Sequence, residues 1–171
     1  MTNESLEVFF YDEAFFKRES TITRGWYLKG LKNCVDCPIT KEKVGVSGAL
    51  NHRNRRVHSL IFNGCDSNTF IYYLKSLLDG YNGEKKIALI LDNASSHKSK
   101  LVKQFVESVN NRLELIYLPA YSPDLNPVEW VWKDIRYKVT HNIYFDSLEI
   151  LEEHIINYLK EHSYNRENLN E

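Results

Sequence analysis

Hydrophobic and polar positions follow two periods along this chain, and the switches between them outline its elements. LEVFFYDE at 6–13 is dense in aromatic and β-branched residues and predicts a strand. TRGWYLKG at 23–30 predicts a weaker strand closed by Gly30, followed by a loop over 31–43. VGVSGAL at 44–50 and RVHSLIFN at 56–63 predict a hairpin around a basic turn. From 65 to 80 the period lengthens: Phe70, Leu74, Leu77 and Leu78 form one stripe, Asp66 or Ser67 can cap it, and Gly80 can stop it. KIALILD at 86–92 is a continuous apolar run of the kind buried on both faces, and LELIYLP at 113–119 is a second such strand. Helical spacing returns at 97–109 with Leu101, Phe105 and Val109, at 126–139, and at 147–162 with Leu148, Leu151, Ile155 and Leu159.

The order strand, hairpin, helix, strand, helix, strand, helix, helix predicts an α/β fold. The expected sheet is mixed and five-stranded, three antiparallel strands then two parallel, flanked by helices. One domain is expected over 1–162, with a polar, fraying tail at 163–171. Ligand sites in such sheets lie beyond the carboxyl ends of the parallel strands. Asp92 is at such an end, and so is Asp12 if its strand runs parallel to 86–92.

Composition narrows the classes. The 171 residues are 43% hydrophobic and 26% charged, an ordinary globular balance that suits one core. No apolar run nears the ~20 residues that cross a bilayer, so no membrane role is expected. The acidic-polar N-terminus lacks the features of a signal peptide, which predicts an intracellular protein. Cys34, Cys37 and Cys65 are odd in number, against a disulfide framework; CVDC has the spacing of half a zinc site, but no second pair exists, so two loop thiols are the better reading. A net charge of −1 is not the overall signature of a nucleic-acid binder. The densest basic stretch is NHRNRRVH, with Arg53, Arg55 and Arg56; it is a candidate DNA patch that competes with a plain solvated turn.

Three carboxylates carry the candidate chemistry. Asn126 suits an N-cap and Pro127 the first helical position, which places Glu129 in the first turn. Glu129 could merely cap that helix, or pair with Lys133 four residues on. Asp92 could be a turn residue, and so could Asp12. Glu13 is an equal carboxylate beside Asp12; alternation puts the two on opposite sides of the strand, so only one can face a site. Two strand ends and a helix start converging on one point would gather mutually repelling charges that call for a cation. Oxygen-only ligands suit Mg²⁺ or Mn²⁺, and a pair of such ions suits phosphoryl transfer.

YDE at 11–13, LDNASSH at 91–97 and YSPDLNPVEWVWKDIR at 121–136 resemble, in order and context, the three motifs of DDE transposases of the mariner superfamily, in its bacterial and archaeal insertion-sequence branch. The likeness spans essentially the whole chain. Its most specific part is Ser-Pro-x-Leu-Asn-Pro-x-Glu, and RGWYLKG, with Trp26 and Gly30, also matches. The resemblance implies a ribonuclease H-like fold, with Asp12, Asp92 and Glu129 as catalytic ligands of Mg²⁺ or Mn²⁺, two ions per site. It implies cleavage and transfer of DNA strands, with transposon ends and target DNA as partners and water, then a DNA 3′-hydroxyl, as nucleophile. Asn93 and His97 match positions with supporting roles. Lys98, Lys100, Lys133 and Arg136 are plausible phosphate contacts. Relatives carry helix-turn-helix modules before the catalytic domain. Met1 lies a few residues before the first strand, so such a domain is expected elsewhere, as a separate domain or protein, and a homodimer is possible. The implied setting is the cytoplasm of a bacterial or archaeal cell, at the nucleoid. The alternatives are an inactive or domesticated remnant serving as a DNA-binding or assembly module, and a small phosphotransfer domain. The second lacks any G-x-G-x-x-G or G-x-x-x-x-G-K loop.

Overall fold

The central strand, β1 (Leu6–Lys17), pairs antiparallel with β2 (Lys43–Asn51) on one side and parallel with β4 (Lys86–Leu91) on the other. β3 (Val57–Phe62) extends the sheet beyond β2, and β5 (Leu113–Tyr117) extends it beyond β4, giving the order β3-β2-β1-β4-β5. Three antiparallel strands followed by two parallel ones is the arrangement the sequence predicts. This computed structural model describes residues 6–19, 41–62, 64–81, 85–119 and 123–162. The predicted strand at 23–30, Cys34, Cys37 and the tail at 163–171 lie outside the described residues.

Strand alternation divides β1 between two cores. Phe9 and Tyr11 point to the face covered by α1 (Ser67–Gly80) and α2 (Lys100–Ser108), where they meet Phe70, Tyr73, Leu74, Leu77 and Val102. Ala14 and Phe16 point to the face under α3 (Val128–Ile135) and α4 (Leu148–Glu161), among Val131, Trp132, Ile135, Leu151 and Ile155. Polar side chains start the helices: Asp66 accepts the Asn68 and Thr69 amides, Ser99 that of Val102, and Ser147 that of Ile150.

Two expectations shift. The helix predicted over 97–109 divides into a 3₁₀ turn at Ser96–Lys98 and α2, because Ser99 is extended and caps afresh. Val102 is therefore the buried position, and Leu101, expected on the apolar stripe, is exposed. The helix predicted over 126–139 runs as α3 and then a π turn at Arg136–Thr140. Among the described residues no helix is long and apolar enough to cross a membrane.

Candidate active site

Asp12 does not end its strand as the sequence reading assumed; β1 continues five residues further, to Lys17. What ends there is its partner. The parallel register runs from Leu6 opposite Lys86 to Phe10 opposite Ile90, and β4 stops at Leu91. Continuing that register sets Asp12 level with Asp92, on neighbouring parallel strands at the carboxyl end of the sheet. Asp92 is exposed there, while Asp12 is largely covered.

Asn126 brings Glu129 to the same place. Its amide donates to the Tyr11 carbonyl at 2.9 Å, while its Oδ1 accepts the Val128 amide at 3.2 Å, so one side chain starts α3 and ties it to β1. Regular helix begins at Val128, leaving Glu129 second rather than third in the helix. The capping reading of Glu129 is not realised: its carboxylate makes no hydrogen bond among the described residues.

Trp132 connects α3 to Asp12. The indole is buried, and its Nε1–H donates to Asp12 Oδ2 at 2.9 Å. It can lie this close to the sheet only because Gly48, the residue paired with Asp12 on β2, has no side chain: a Cβ there would lie 2.4 Å from the indole. Neither contact is visible in a local sequence pattern, since Trp132 reads simply as a core residue. Burial, above all, pushes the Asp12 carboxyl up to about 7; the Glu13 amide and the Trp132 N–H oppose this, while Glu129 and Asp92 add to it through like charge.

Glu13 faces the other side of the sheet from Asp12. It accepts the Tyr11 hydroxyl at 2.7 Å, and its Oε1 lies 3.6 Å from His97 Nε2. Burial would raise its pKa, but His97, Tyr11 and Cys65 outweigh burial and hold it low. His97 is buried, with Nδ1 2.9 Å from Asp92 Oδ1. Burial would lower its pKa, but Glu13 and Asp92 together raise it. The Asn93 amide donates to the Leu118 carbonyl, bracing the ends of β4 and β5 against each other rather than orienting Asp92.

The expected DNA contacts separate. Lys133 and Arg136 line a groove of about 400 Å³ with Asp124, Asn126, Glu129 and Trp130. Trp130 is 45% exposed, with Lys133 Nζ 5.1 Å from its ring centroid. Lys98, on the turn carrying His97, lies over Tyr117, and Lys100 opens α2. Arg53, Arg55 and Arg56 lie at the opposite end of the sheet. Asn51 pairs with Phe9, and the His52 amide bonds the Val8 carbonyl, so the turn sits beyond the entering end of β1. There Asn51 Oδ1 accepts the Arg53 and Asn54 amides, which makes a well-formed turn.

Asp12, Asp92 and Glu129 offer only oxygen donors, and the like-charge pressure on Asp12 is what a hard divalent cation would relieve. Among the described residues no three His, Cys, Asp or Glu side chains stand close enough to enclose one ion. The carboxylates are thus electrostatically coupled but open, and Glu129 is exposed.

Residues 7–152 match the family model described as DDE superfamily endonuclease. The chain is 34% identical over 135 residues to the insertion element IS630 uncharacterized 39 kDa protein of Shigella sonnei, covering 79% of this chain and 39% of that protein. Its fold is similar to that in the Mos1 transposase paired-end complex with left transposon end, with TM-score 0.72, 15% identity, and coverage of 98% of this chain and 51% of that one. It is likewise similar to the Mos1 mariner paired end complex with Mn, with TM-score 0.68, 17% identity, and coverage of 91% and 48%. The chain therefore spans about half or less of the length of these three relatives. It has the ribonuclease H-like fold expected from its sequence, and it belongs to the DDE superfamily endonuclease family.

Proposed function

We propose that this chain is the catalytic domain of a transposase, cleaving and joining DNA strands with a divalent metal held by Asp12, Asp92 and Glu129. The observation that carries the reading is Asp12: a covered carboxyl, level with Asp92, pressed up to about 7 and coupled to two further carboxylates. A structural acid would be given a cation by the fold; one kept covered among like charges is a candidate functional group. The Mos1 mariner complex that it resembles was solved with Mn, and a related Mos1 paired end complex with Mg.

Bound there, Mg²⁺ or Mn²⁺ would supply Lewis-acid activation of an attacking oxygen and stabilisation of the leaving one. The chain's own residues hold the geometry. Trp132 fixes one Asp12 oxygen, and the Asn126 bridge delivers Glu129. The groove beside Glu129 is the proposed track for the DNA strand, with Lys133 and Arg136 meeting phosphates and the exposed Trp130 offering a face for a base. No protein nucleophile is needed, since water or a DNA 3′-hydroxyl attacks. Recognition of particular transposon ends rests with a separate domain or protein, in keeping with the net charge of −1.

The test is Mn²⁺-dependent nicking of supercoiled DNA by the wild-type chain and by Asp92→Asn and Glu129→Gln, with far-UV circular dichroism as the fold control. Each variant is expected to stay folded and to lose about 10³-fold in rate. Wild-type nicking in either would remove that residue from the site.

A further inference from the structure

Glu13 belongs to an arrangement that the three-carboxylate reading leaves unused. One imidazole joins a carboxylate on β1 to one at the end of β4: His97 Nδ1 lies 2.9 Å from Asp92 Oδ1, and Nε2 lies 3.6 Å from Glu13 Oε1. That second separation is too long for a hydrogen bond, and Nε2 is buried with no hydrogen-bond partner among the described residues, so the group it faces there is the Glu13 carboxylate. His97 is 3% exposed, packed against the Phe70 ring at 4.4 Å and edge-on to Tyr11 at 5.6 Å. Glu13 is itself held by the Tyr11 hydroxyl at 2.7 Å, and that hydroxyl lies 3.1 Å from Ser47 Oγ. The line Ser47–Tyr11–Glu13–His97–Asp92 therefore runs from the interior of the sheet to an exposed carboxylate. At its end Asp92 Oδ1 also accepts the Ala94 amide at 3.0 Å. Both contacts that hold this carboxylate among the described residues therefore fall on Oδ1.

We propose that Glu13 and His97 are positioning residues that hold Asp92 in its metal-receiving orientation, Glu13 acting through the imidazole. This rests on the reading of Asp92 as a metal ligand. Partners that orient a ligating side chain are typically worth about 10–100-fold in metal affinity.

The experiment measures Mn²⁺ affinity by calorimetry, with the chain saturated by a short DNA duplex, alongside thermal unfolding. His97→Phe and Glu13→Leu are each expected to weaken Mn²⁺ about tenfold. Glu13→Gln, which keeps an oxygen facing Nε2, is expected to stay within about threefold of wild type. The double variant His97→Phe with Glu13→Leu should be no weaker than either single one, because both break one line. Tyr11→Phe keeps the ring and removes only the hydroxyl on Glu13. It should weaken Mn²⁺ by about threefold, and it decides the matter if a buried variant does not fold. Unchanged or tightened Mn²⁺ binding in folded His97→Phe, or in Tyr11→Phe, would overturn the positioning role. Asp92→Asn separates the two readings: it must lose Mn²⁺ binding, and if it does not, the metal site itself is wrong, whatever Glu13 and His97 do.

Discussion

Glu7 and Asp12 lie on one strand, both covered, and the fold treats them in opposite ways. Glu7, at the entering end of β1, is 8% exposed; Lys85 Nζ lies 3.0 Å from one of its oxygens and the Asn51 amide 3.1 Å from the other. Burial would raise its pKa, but these two partners outweigh burial and hold the carboxyl below its ordinary value. Asp12, toward the exit end, receives the Trp132 and Glu13 N–H groups, yet burial, Glu129 and Asp92 prevail and it rises to about 7. A desolvated carboxylate opposes folding unless a cation or enough donors compensate. Glu7 has that compensation built in. At Asp12 the neighbouring charges are carboxylates, which leaves the compensating cation to come from outside.

Neutralising each acid in turn tests the contrast most strongly. Asp12→Asn keeps an oxygen for the Trp132 N–H and removes the charge; Mn²⁺-dependent nicking should fall about 10³-fold. Glu7→Gln should leave nicking within about twofold. Stability should move the other way. Because Asp12 has a folded-state pKa raised from 3.8 to about 7, the folded chain retains a proton that the unfolded chain has released, and stability falls as pH rises through that window. In EDTA at pH 8, Asp12→Asn should therefore unfold at a higher temperature than wild type, by about 5 °C for some 2 kcal/mol, with the gain gone by pH 4. Glu7 is the depressed case. Its contribution is present above the unfolded value near 4.5 and is lost as pH falls through the lower folded value. Glu7→Gln should unfold about 3 °C lower at pH 7, and the difference should close in acid. Equal melting shifts for the two variants at pH 8 would end the comparison.

A smaller effect comes from Gly48, where the same asymmetry depends on a missing side chain. Gly48→Ala sets a methyl 2.4 Å from Trp132, so the indole must move and its N–H must leave Asp12. Overpacking of this kind costs about 2 kcal/mol, and nicking should drop by about tenfold. Gly64→Ala, whose Cβ would meet nothing within 4 Å, is the matched control and should change neither melting nor nicking.

Much of this was legible in the sequence, up to the point where distant segments meet. The sheet pattern, Asp92 at the end of an apolar run and the Asn126-Pro127 start of α3 are local signals of period and capping. Alternation also separates Asp12 from Glu13, but which of them faces α3 depends on Trp132 and Gly48, far away in sequence and alike in reading as ordinary core residues. The line through Tyr11, Ser47 and His97 is hidden for the same reason, since three elements supply it. The basic run at 51–58 misleads differently. Charge density is visible in a sequence, but the end of the sheet on which it falls follows from the β1–β2 register.

That register supplies the least disruptive test. If DNA follows the groove beside Glu129, Lys133→Ala and Arg136→Ala should each weaken duplex binding and reduce the salt dependence of log K by about one phosphate contact. Arg53→Ala and Arg56→Ala should change neither the affinity nor the slope, because their turn lies past Val8, on the order of 13 Å along β1 from Asp12. Fluorescence anisotropy titrations over a range of salt concentrations measure both quantities in one series. A loss of slope in the turn variants would carry the DNA across the entering end of the sheet, onto the side where Glu7 already has its own lysine, and the two ends would no longer divide structural from functional charge.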